Sequence, residues 1–218
     1  MMGTCKKIQA SDLKDLVKPD IILCSASFEE RSFAFTEEIQ DLKFKKAFIF
    51  QIIDFDSKIA QNTEKIKDLL KCQNTRIVDL KINDPKRSFL NIYHNISEIF
   101  QGEGKNITID ATTFTHECLL MLLRIVKRFK RTEDVVKFYY NGASQYSFNE
   151  LNNNEKWLTK GVKSTRSIIG YPGYSDPSKK NHLIILFGFE KERSLRLIDE
   201  FDYDVISLEI GRASCRER

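Results

Sequence analysis

Residues 21–53 read IILCSASFEERSFAFTEEIQDLKFKKAFIFQII. An apolar run covers Ile21–Cys24, a stretch of helical period follows, and a second apolar run covers Lys46–Ile53. Short runs rich in Ile, Val and Phe predict strands, and nearly continuous apolar runs are typical of parallel strands buried on both faces. The stretch therefore predicts a strand–helix–strand unit with two parallel strands.

The same alternation continues along the chain. Further strands are predicted at Arg76–Ile82, Asn106–Asp110, Val135–Tyr140 and His182–Phe187, with a seventh at Asp204–Leu208. Repeated strand–helix units are typical of the α/β class. We expect a Rossmann-like three-layer sandwich with a mainly parallel central sheet of six or seven strands.

Three helix starts carry recognisable signals. Ser27-Phe-Glu-Glu30 matches a capping box, in which the Ser hydroxyl and the Glu carboxylate each bond a free backbone N–H. Asp84-Pro85 predicts an N-cap followed by a proline in the first turn. Thr113 or Thr115 is predicted to cap the helix that contains Cys118–Val126, the most apolar helix of the chain.

The last nine residues, 210–218, match the in-frame translation of a common sequencing adapter. We interpret them as an artefact and place the end of the authentic sequence near residue 209, which predicts a longer natural protein with a truncated C-terminus here. Without their three Arg and one Glu, the net charge falls from +4 to +2. A balance so close to zero argues against binding of extended duplex nucleic acid.

Composition indicates a folded protein without membrane segments, for which the cytoplasm is the expected location. Hydrophobic residues make up 41% of the chain, yet no apolar run approaches the roughly 20 residues of a membrane helix. The cysteines outside the final segment are Cys5, Cys24, Cys72 and Cys118, and none has the spacing of a zinc site or a disulfide framework. Neither a metal site nor a resident cofactor is predicted.

One sequence echo bears on domain organisation. Residues 23–39 (LCSASFEERSFAFTEEI) and residues 185–201 (ILFGFEKERSLRLIDEF) align without a gap from Glu30 and Glu192 onward. The interpretation we favour is a single domain, 1–209, in which the late strand joins the same sheet. The alternative is a second copy of the fold that begins at residue 182.

Polar residues cluster where the predicted strands end. In open parallel sheets ligands bind outside the carboxyl ends of the strands, and helix N-termini there favour anions. The predicted ligand-binding residues are Ser25, Ser27, Arg31, Asp110, Thr112, Thr113, Thr115 and Asn141. Arg31 is expected to contact an anionic group of the ligand.

An insertion is predicted at about 141–181, which is too long for a bare connection. It mixes lysines with Trp157, Tyr171 and Tyr174, a combination that suits nucleotides, and we expect it to act as a lid. Within it, Ser164–Ile169 is predicted to be a strand.

A different chemistry is suggested by Asp54-Phe-Asp56, which follows an apolar strand. This pair resembles the aspartates of haloacid-dehalogenase-like phosphohydrolases, and the resemblance implies a carboxylate nucleophile and bound Mg²⁺. The chain departs from that pattern at Lys58, where the family has Thr or Val. No Walker-type loop and no Gly-x-Gly-x-x-Gly occurs in the sequence.

These observations favour a ligand-binding domain for a nucleotide or another phosphorylated small molecule. In architecture the chain is similar to Rossmann-like sensor domains that regulate a second domain, which implies a missing C-terminal effector; a homodimer is a further option. The alternative is a Mg²⁺-dependent phosphohydrolase or nucleotide-processing enzyme using Asp54, Asp56 and Asp110, and a scaffold without a ligand is a third. The sequence does not assign a reaction.

Overall fold

A computed structural model describes residues 13, 19–54, 57–142, 164–173, 176–187 and 191–210. The elements in chain order are β1 (Ile21–Ser25), α1 (Arg31–Ile39), β2 (Lys46–Ile52), α2 (Ser57–Leu70), β3 (Thr75–Leu80), α3 (Pro85–Ser97, continued by a 3₁₀ turn at Glu98–Phe100), β4 (Asn106–Asp110), α4 (His116–Phe129), β5 (Val135–Tyr139), β6 (His182–Phe187), α5 (Lys191–Glu200) and β7 (Val205–Ile210). Two compact units contain them. The first comprises residues 1–144 with 168–170, and the second comprises the remainder.

The first unit is built on a five-stranded sheet in the order β3-β2-β1-β4-β5, and every neighbouring pair is parallel. Leu23 in the central strand pairs with Phe48 on one side and with Ile109 on the other. The chain builds outward from β1 to β3 and then returns to the other side of β1 with β4. The α/β class and the mainly parallel sheet are thereby confirmed.

Helices cover both faces of this sheet, which explains the nearly continuous apolar strands. On one face, Leu23 and Phe48 pack in a cluster with Ile92 of α3 and Met121 of α4. On the other face, Ile22, Cys24 and Ile49 pack with residues of α1 and α2, among them Phe35 and Ile66. Side chains alternate between the faces of a strand, so β1 is buried on both. No helix in the described ranges is long and apolar enough to cross a bilayer.

The predicted number of strands in the central sheet is too high. β6 and β7 do not join it; they pair with each other in a separate parallel sheet, where Ile185 lies opposite Leu208. The interpretation that the late strand joins the same sheet is therefore wrong. β6, α5 and β7 form a β–α–β unit of their own, in which α5 connects β6 to its parallel neighbour β7.

The second unit repeats the local plan of β1–α1–β2. The pair Ile185–Leu208 corresponds to Leu23–Phe48, and the serines of the two Glu-Arg-Ser triplets, Ser32 and Ser194, are both buried. The strand faces differ in coverage. Ile22 and Cys24 in β1 are fully buried, whereas the aligned Ile184 and Leu186 in β6 are 57% and 76% exposed.

The part of the insertion that can be described is irregular and not a strand. Residues 164–168 have no regular secondary structure, so the strand predicted at Ser164–Ile169 is not formed. Ile168 and Ile169 pack against the sheet face that α3 and α4 cover. Gly170 has φ +93°, and a Cβ there would lie 2.8 Å from Cγ of Arg124. Trp157 and Tyr174, on which the predicted lid depends, lie outside the described residues.

Candidate ligand site

The carboxyl ends of β1 and β4 form the switch point of the sheet. The chain leaves β1 toward the face that carries α1 and leaves β4 toward the face that carries α4. A crevice opens between two strands whose connections depart in opposite directions, and it is the usual ligand position in such sheets. The predicted ligand-binding residues end β1 and β4 or lie in the three segments that follow β1, β4 and β5, so the topology brings them to one edge.

A hydrogen bond between the first two segments joins the two sides of the switch point. The Thr113 hydroxyl donates to the backbone carbonyl oxygen of Ser25 over 2.8 Å. Because Leu23 pairs with Ile109, Asp110 lies level with Cys24 and one residue short of Ser25. The Thr113 bond therefore fixes the position of the loop after β4 relative to the end of β1.

Asp110 is oriented by a short chain of hydrogen bonds. The Thr112 hydroxyl and the Thr112 backbone N–H both donate to Oδ1 of Asp110, the latter over 3.0 Å. The Thr112 oxygen in turn accepts the backbone N–H of Asn141 over 3.0 Å. These hydrogen bonds orient the carboxyl group and connect the end of β4 to Asn141, in the segment after β5.

Two polar atoms at this edge remain available to a ligand. Asp110 and Ser25 are more than nine-tenths buried, yet within the described part of the chain neither Oδ2 of Asp110 nor Oγ of Ser25 receives or donates a hydrogen bond. Every fully buried side-chain nitrogen or oxygen of the described residues has a partner. It follows that both of these atoms keep some contact with solvent at the strand ends.

Burial disfavours the charged form of Asp110. Desolvation raises the pKa of its carboxyl group to about 6, although the two bonds from Thr112 act in the opposite direction. No described cation forms an ion pair with it. A buried carboxyl group without a cation, at the carboxyl ends of parallel strands, is a candidate for a functional residue.

The groups around Asp110 are neutral. Burial, and then the Asp110 carboxyl, raise the pKa of the Cys24 thiol in β1 well above its usual range. The pKa of the Tyr139 phenol in β5 is raised by burial and by Asp110, and its ring packs against Phe35 at 4.8 Å between centroids. The sheet therefore supplies no charge that compensates an ionised Asp110.

Arg31, the predicted anion partner, already has a partner of its own. Its Nε donates to Oε2 of Glu29 over 2.9 Å, and its Nη1 donates to the Asn141 carbonyl oxygen over 3.2 Å. Sequence reasoning missed Glu29 in this role, although its position two residues before Arg31 was a usable signal. The guanidinium thus joins the loop after β1 to the segment after β5, with its charge largely neutralised.

The helix caps at this edge are partly as predicted. Thr115 caps α4, since its hydroxyl oxygen accepts the Cys118 N–H over 3.3 Å. The capping box at Ser27–Glu30 is wrong, because α1 begins only at Arg31 and Glu30 makes no side-chain cap bond. Ser27 Oγ instead accepts the Glu29 N–H over 3.3 Å, which stabilises the loop before the helix.

Asn62 of α2 is a contact that the sequence did not indicate. Its Nδ2 donates to the backbone carbonyl oxygen of Ser27 over 2.7 Å. A polar residue inside an amphipathic helix carries no signal for such a long-range bond. The loop after β1 is therefore held from α2 as well as from β4.

The carboxylates of the enzyme alternative are not brought together. Asp54 Oδ2 accepts the Ile82 N–H, beyond the end of β3, whereas Asp110 follows β4 on the far side of β1. β2 and β4 are two strand spacings apart, about 10 Å. Asp56 lies outside the described residues, and those described contain no group of three His, Cys, Asp or Glu side chains suited to a metal.

An open depression of the described surface lies elsewhere. It has a volume of about 640 Å³ and is formed by residues 40–45 and 70–74, which precede β2 and β3. It is thus at the amino ends of the strands, opposite the switch point. Mixed Lys, Asp and Gln side chains surround it, without a buried polar group directed into it.

Comparison of the sequence with protein-family models and with curated proteins found no match. Function is therefore argued from the geometry of the site.

Proposed function

We propose that the first unit is a ligand-binding domain of the sensor or regulatory kind, for a nucleotide or another phosphorylated small molecule. The ligand lies in the crevice between the ends of β1 and β4. The observation that carries this proposal is the pairing of a topological switch point with Asp110, a buried carboxyl group that has an accessible oxygen and no cation.

Local rigidity supports the same proposal. The segments after β1, β4 and β5 are connected by Thr113 to Ser25, by Asn141 to Thr112 and by Arg31 to Asn141. A binding site whose loops are already fixed loses little conformational entropy when the ligand arrives. The N-terminus of α4, which begins just beyond Thr115, favours a phosphate in this proposal, although the Glu117 carboxylate in the same turn acts against it.

The regulatory part of the proposal rests on the second unit. Parallel sheets are stable when other elements cover both of their faces. In the sheet of β6 and β7, the apolar side chains of Ile184, Leu186 and Leu208 are exposed, so this covering is incomplete. In the first unit, further strands and helices bury the corresponding residues Ile22, Cys24 and Phe48. We propose that additional strand–helix units of the same polypeptide complete the second sheet as a second Rossmann-like domain.

The binding proposal is tested by differential scanning fluorimetry with a panel of ribonucleotides and phosphorylated sugars. At saturating ligand, at least one compound should raise the melting temperature of the wild type by several degrees, because binding to the folded state stabilises it. The shift should be reduced in Ser25→Ala and remain in Asp68→Asn, whose carboxylate is exposed on α2. No shift with any compound of the panel contradicts the proposal.

A further inference from the structure

The atoms that surround Asp110 restrict which part of a ligand can lie against it. The Thr112 hydroxyl proton is used by Oδ1, and the Thr113 hydroxyl proton is used by the Ser25 carbonyl. The Arg31 guanidinium is bonded to Glu29 and Asn141. The donors of Thr112, Thr113 and Arg31 therefore already have acceptors, whereas among the described residues the Ser25 hydroxyl is a donor without an acceptor and Oδ2 of Asp110 is an acceptor without a donor.

A phosphate group placed on Oδ2 would bring two acceptors and two negative charges together, and such like-charge contacts are unfavourable. A hydroxyl or amino group would instead satisfy an otherwise unpaired buried carboxylate, and hydrogen bonds to charged groups are the strong ones. The phosphate is better served by the N–H groups of the first turn of α4.

From this geometry we infer that Asp110 Oδ2 accepts a hydrogen bond from a sugar hydroxyl of the ligand, so that the ligand is a ribonucleotide whose ribose lies over the ends of β1 and β4. The inference rests on the proposed function and specifies which portion of the ligand this carboxyl group recognises. Asp110 is a specificity-determining residue in this account.

The pH dependence of binding follows from the charges that face Asp110. Cys24 from β1 and Tyr139 from β5 are neutral, and the Glu38 carboxylate of α1 helps to raise the pKa of the Tyr139 phenol. The charges of Glu29 and Arg31 neutralise each other. With a carboxyl pKa of about 6, Asp110 is mostly protonated at pH 5 and mostly ionised at pH 7. A ligand that donates to the carboxylate binds the ionised form, so its affinity rises with pH.

Isothermal titration calorimetry at pH 5 and pH 7 tests the inference on the full chain. The probes are the four ribonucleoside monophosphates, with the 2′-deoxy and 3′-deoxy forms of those that bind, and inorganic phosphate. For the bound ribonucleotide, the affinity should rise up to about tenfold between pH 5 and pH 7, because the ionised fraction of a group with pKa 6 rises by that factor. At least one deoxy form should bind several-fold more weakly at pH 7.

Asp110→Asn should abolish most of the pH dependence, while Asp68→Asn should keep it. Binding that weakens as the pH rises, or that is indifferent to both sugar hydroxyls, overturns the inference and leaves the proposed function standing. Absence of binding by every ribonucleotide, when phosphorylated sugars still give a thermal shift in the fluorimetry panel, also overturns only the inference. Absence of binding by all compounds overturns both. The second pKa of a phosphate monoester is also about 6, so the pH profile of each ribonucleotide is compared with that of its deoxy form, and this comparison decides even if a variant fails to fold.

Discussion

The hydroxyl of Thr113 donates a hydrogen bond of 2.8 Å to the carbonyl oxygen of Ser25, 88 residues earlier in the chain. The bond crosses the switch point and ties the loop after β4 to the end of β1. Thr113→Val keeps the shape of the side chain but removes the donor. The free energy of unfolding should fall by about 1 kcal/mol, because the carbonyl of the buried Ser25 loses its partner.

Urea denaturation of Thr113→Val and Thr113→Ser measures this difference. The serine variant retains the hydroxyl and should lie close to the wild type. Equal loss of stability in both variants would mean that the methyl group, and not the hydrogen bond, matters at this position.

The raised pKa of Asp110 predicts a characteristic pH dependence of stability. The folded state binds a proton with a pKa of about 6, whereas the unfolded carboxyl group has the model value of 3.8. Between these values the folded state holds more protons, so the contribution of Asp110 to the free energy of unfolding decreases as the pH rises from 4 to 6. The stabilising effect of Asp110→Asn relative to the wild type should therefore grow by about 2 kcal/mol over that interval.

Urea denaturation of the wild type and Asp110→Asn at pH 4.5 and pH 7 checks this difference. Other carboxyl groups titrate equally in both proteins and cancel. A difference in stability that does not change with pH would show that the folded state does not perturb this carboxyl group.

Glu29 is predicted to limit the affinity of the site for anions. Glu29→Gln removes the charge that neutralises Arg31 while the side chain stays similar in size. The affinity for a phosphorylated ligand should increase several-fold at low ionic strength, since an unpaired guanidinium binds phosphate well.

Calorimetric titrations of Glu29→Gln and of Glu64→Gln provide the comparison, because Glu64 is an exposed residue of α2 that pairs with Lys67. The Glu64 variant should bind like the wild type. If Glu29→Gln binds no better than Glu64→Gln, the guanidinium of Arg31 has a structural role and does not contact the ligand.

The two sheets should differ in local stability. Amides of β1 lie in a strand buried on both faces, whereas among the described strands β6 pairs with β7 alone and has exposed Ile184 and Leu186. Local opening is easiest where few apolar contacts must be broken. Hydrogen–deuterium exchange should be at least about a hundredfold faster in β6 than in β1.

Exchange detected by mass spectrometry measures both strands in one sample, so β1 serves as the internal control. Equal protection of the two strands would show that the exposed face of β6 is covered in solution. In that case the need for additional strand–helix units would disappear.

Most of the fold could be predicted because the strands of the first unit are almost uniformly apolar. Ile21–Cys24 and Asn106–Asp110 agree with β1 and β4 to within one residue. The strand count failed because a sequence pattern predicts strands without their pairing. The apolar run at His182–Phe187 does not show that its neighbour is β7 and not a strand of the first sheet.

The sequence indicated which polar residues lie at the carboxyl edge of the sheet, but not the hydrogen bonds that they make. Strand ends and small hydroxyl residues indicated Asp110, Thr112 and Thr113, because a parallel sheet places these ends at one edge. The pairing of Arg31 with Glu29, and the bond from Asn62 to the loop after β1, depend on side-chain geometry. The same is true of Ser27, whose hydroxyl serves the loop instead of the helix.

The central claim is that a nucleotide or related phosphorylated molecule binds between the ends of β1 and β4. The most direct test is a ¹H–¹⁵N correlation NMR titration of the chain with the compound that gives the largest thermal shift. The account predicts that chemical-shift changes concentrate at the backbone amides of Ala26, Ala111, Thr113 and Asn141. Changes confined to residues 40–45 and 70–74, at the opposite edge of the sheet, would contradict it.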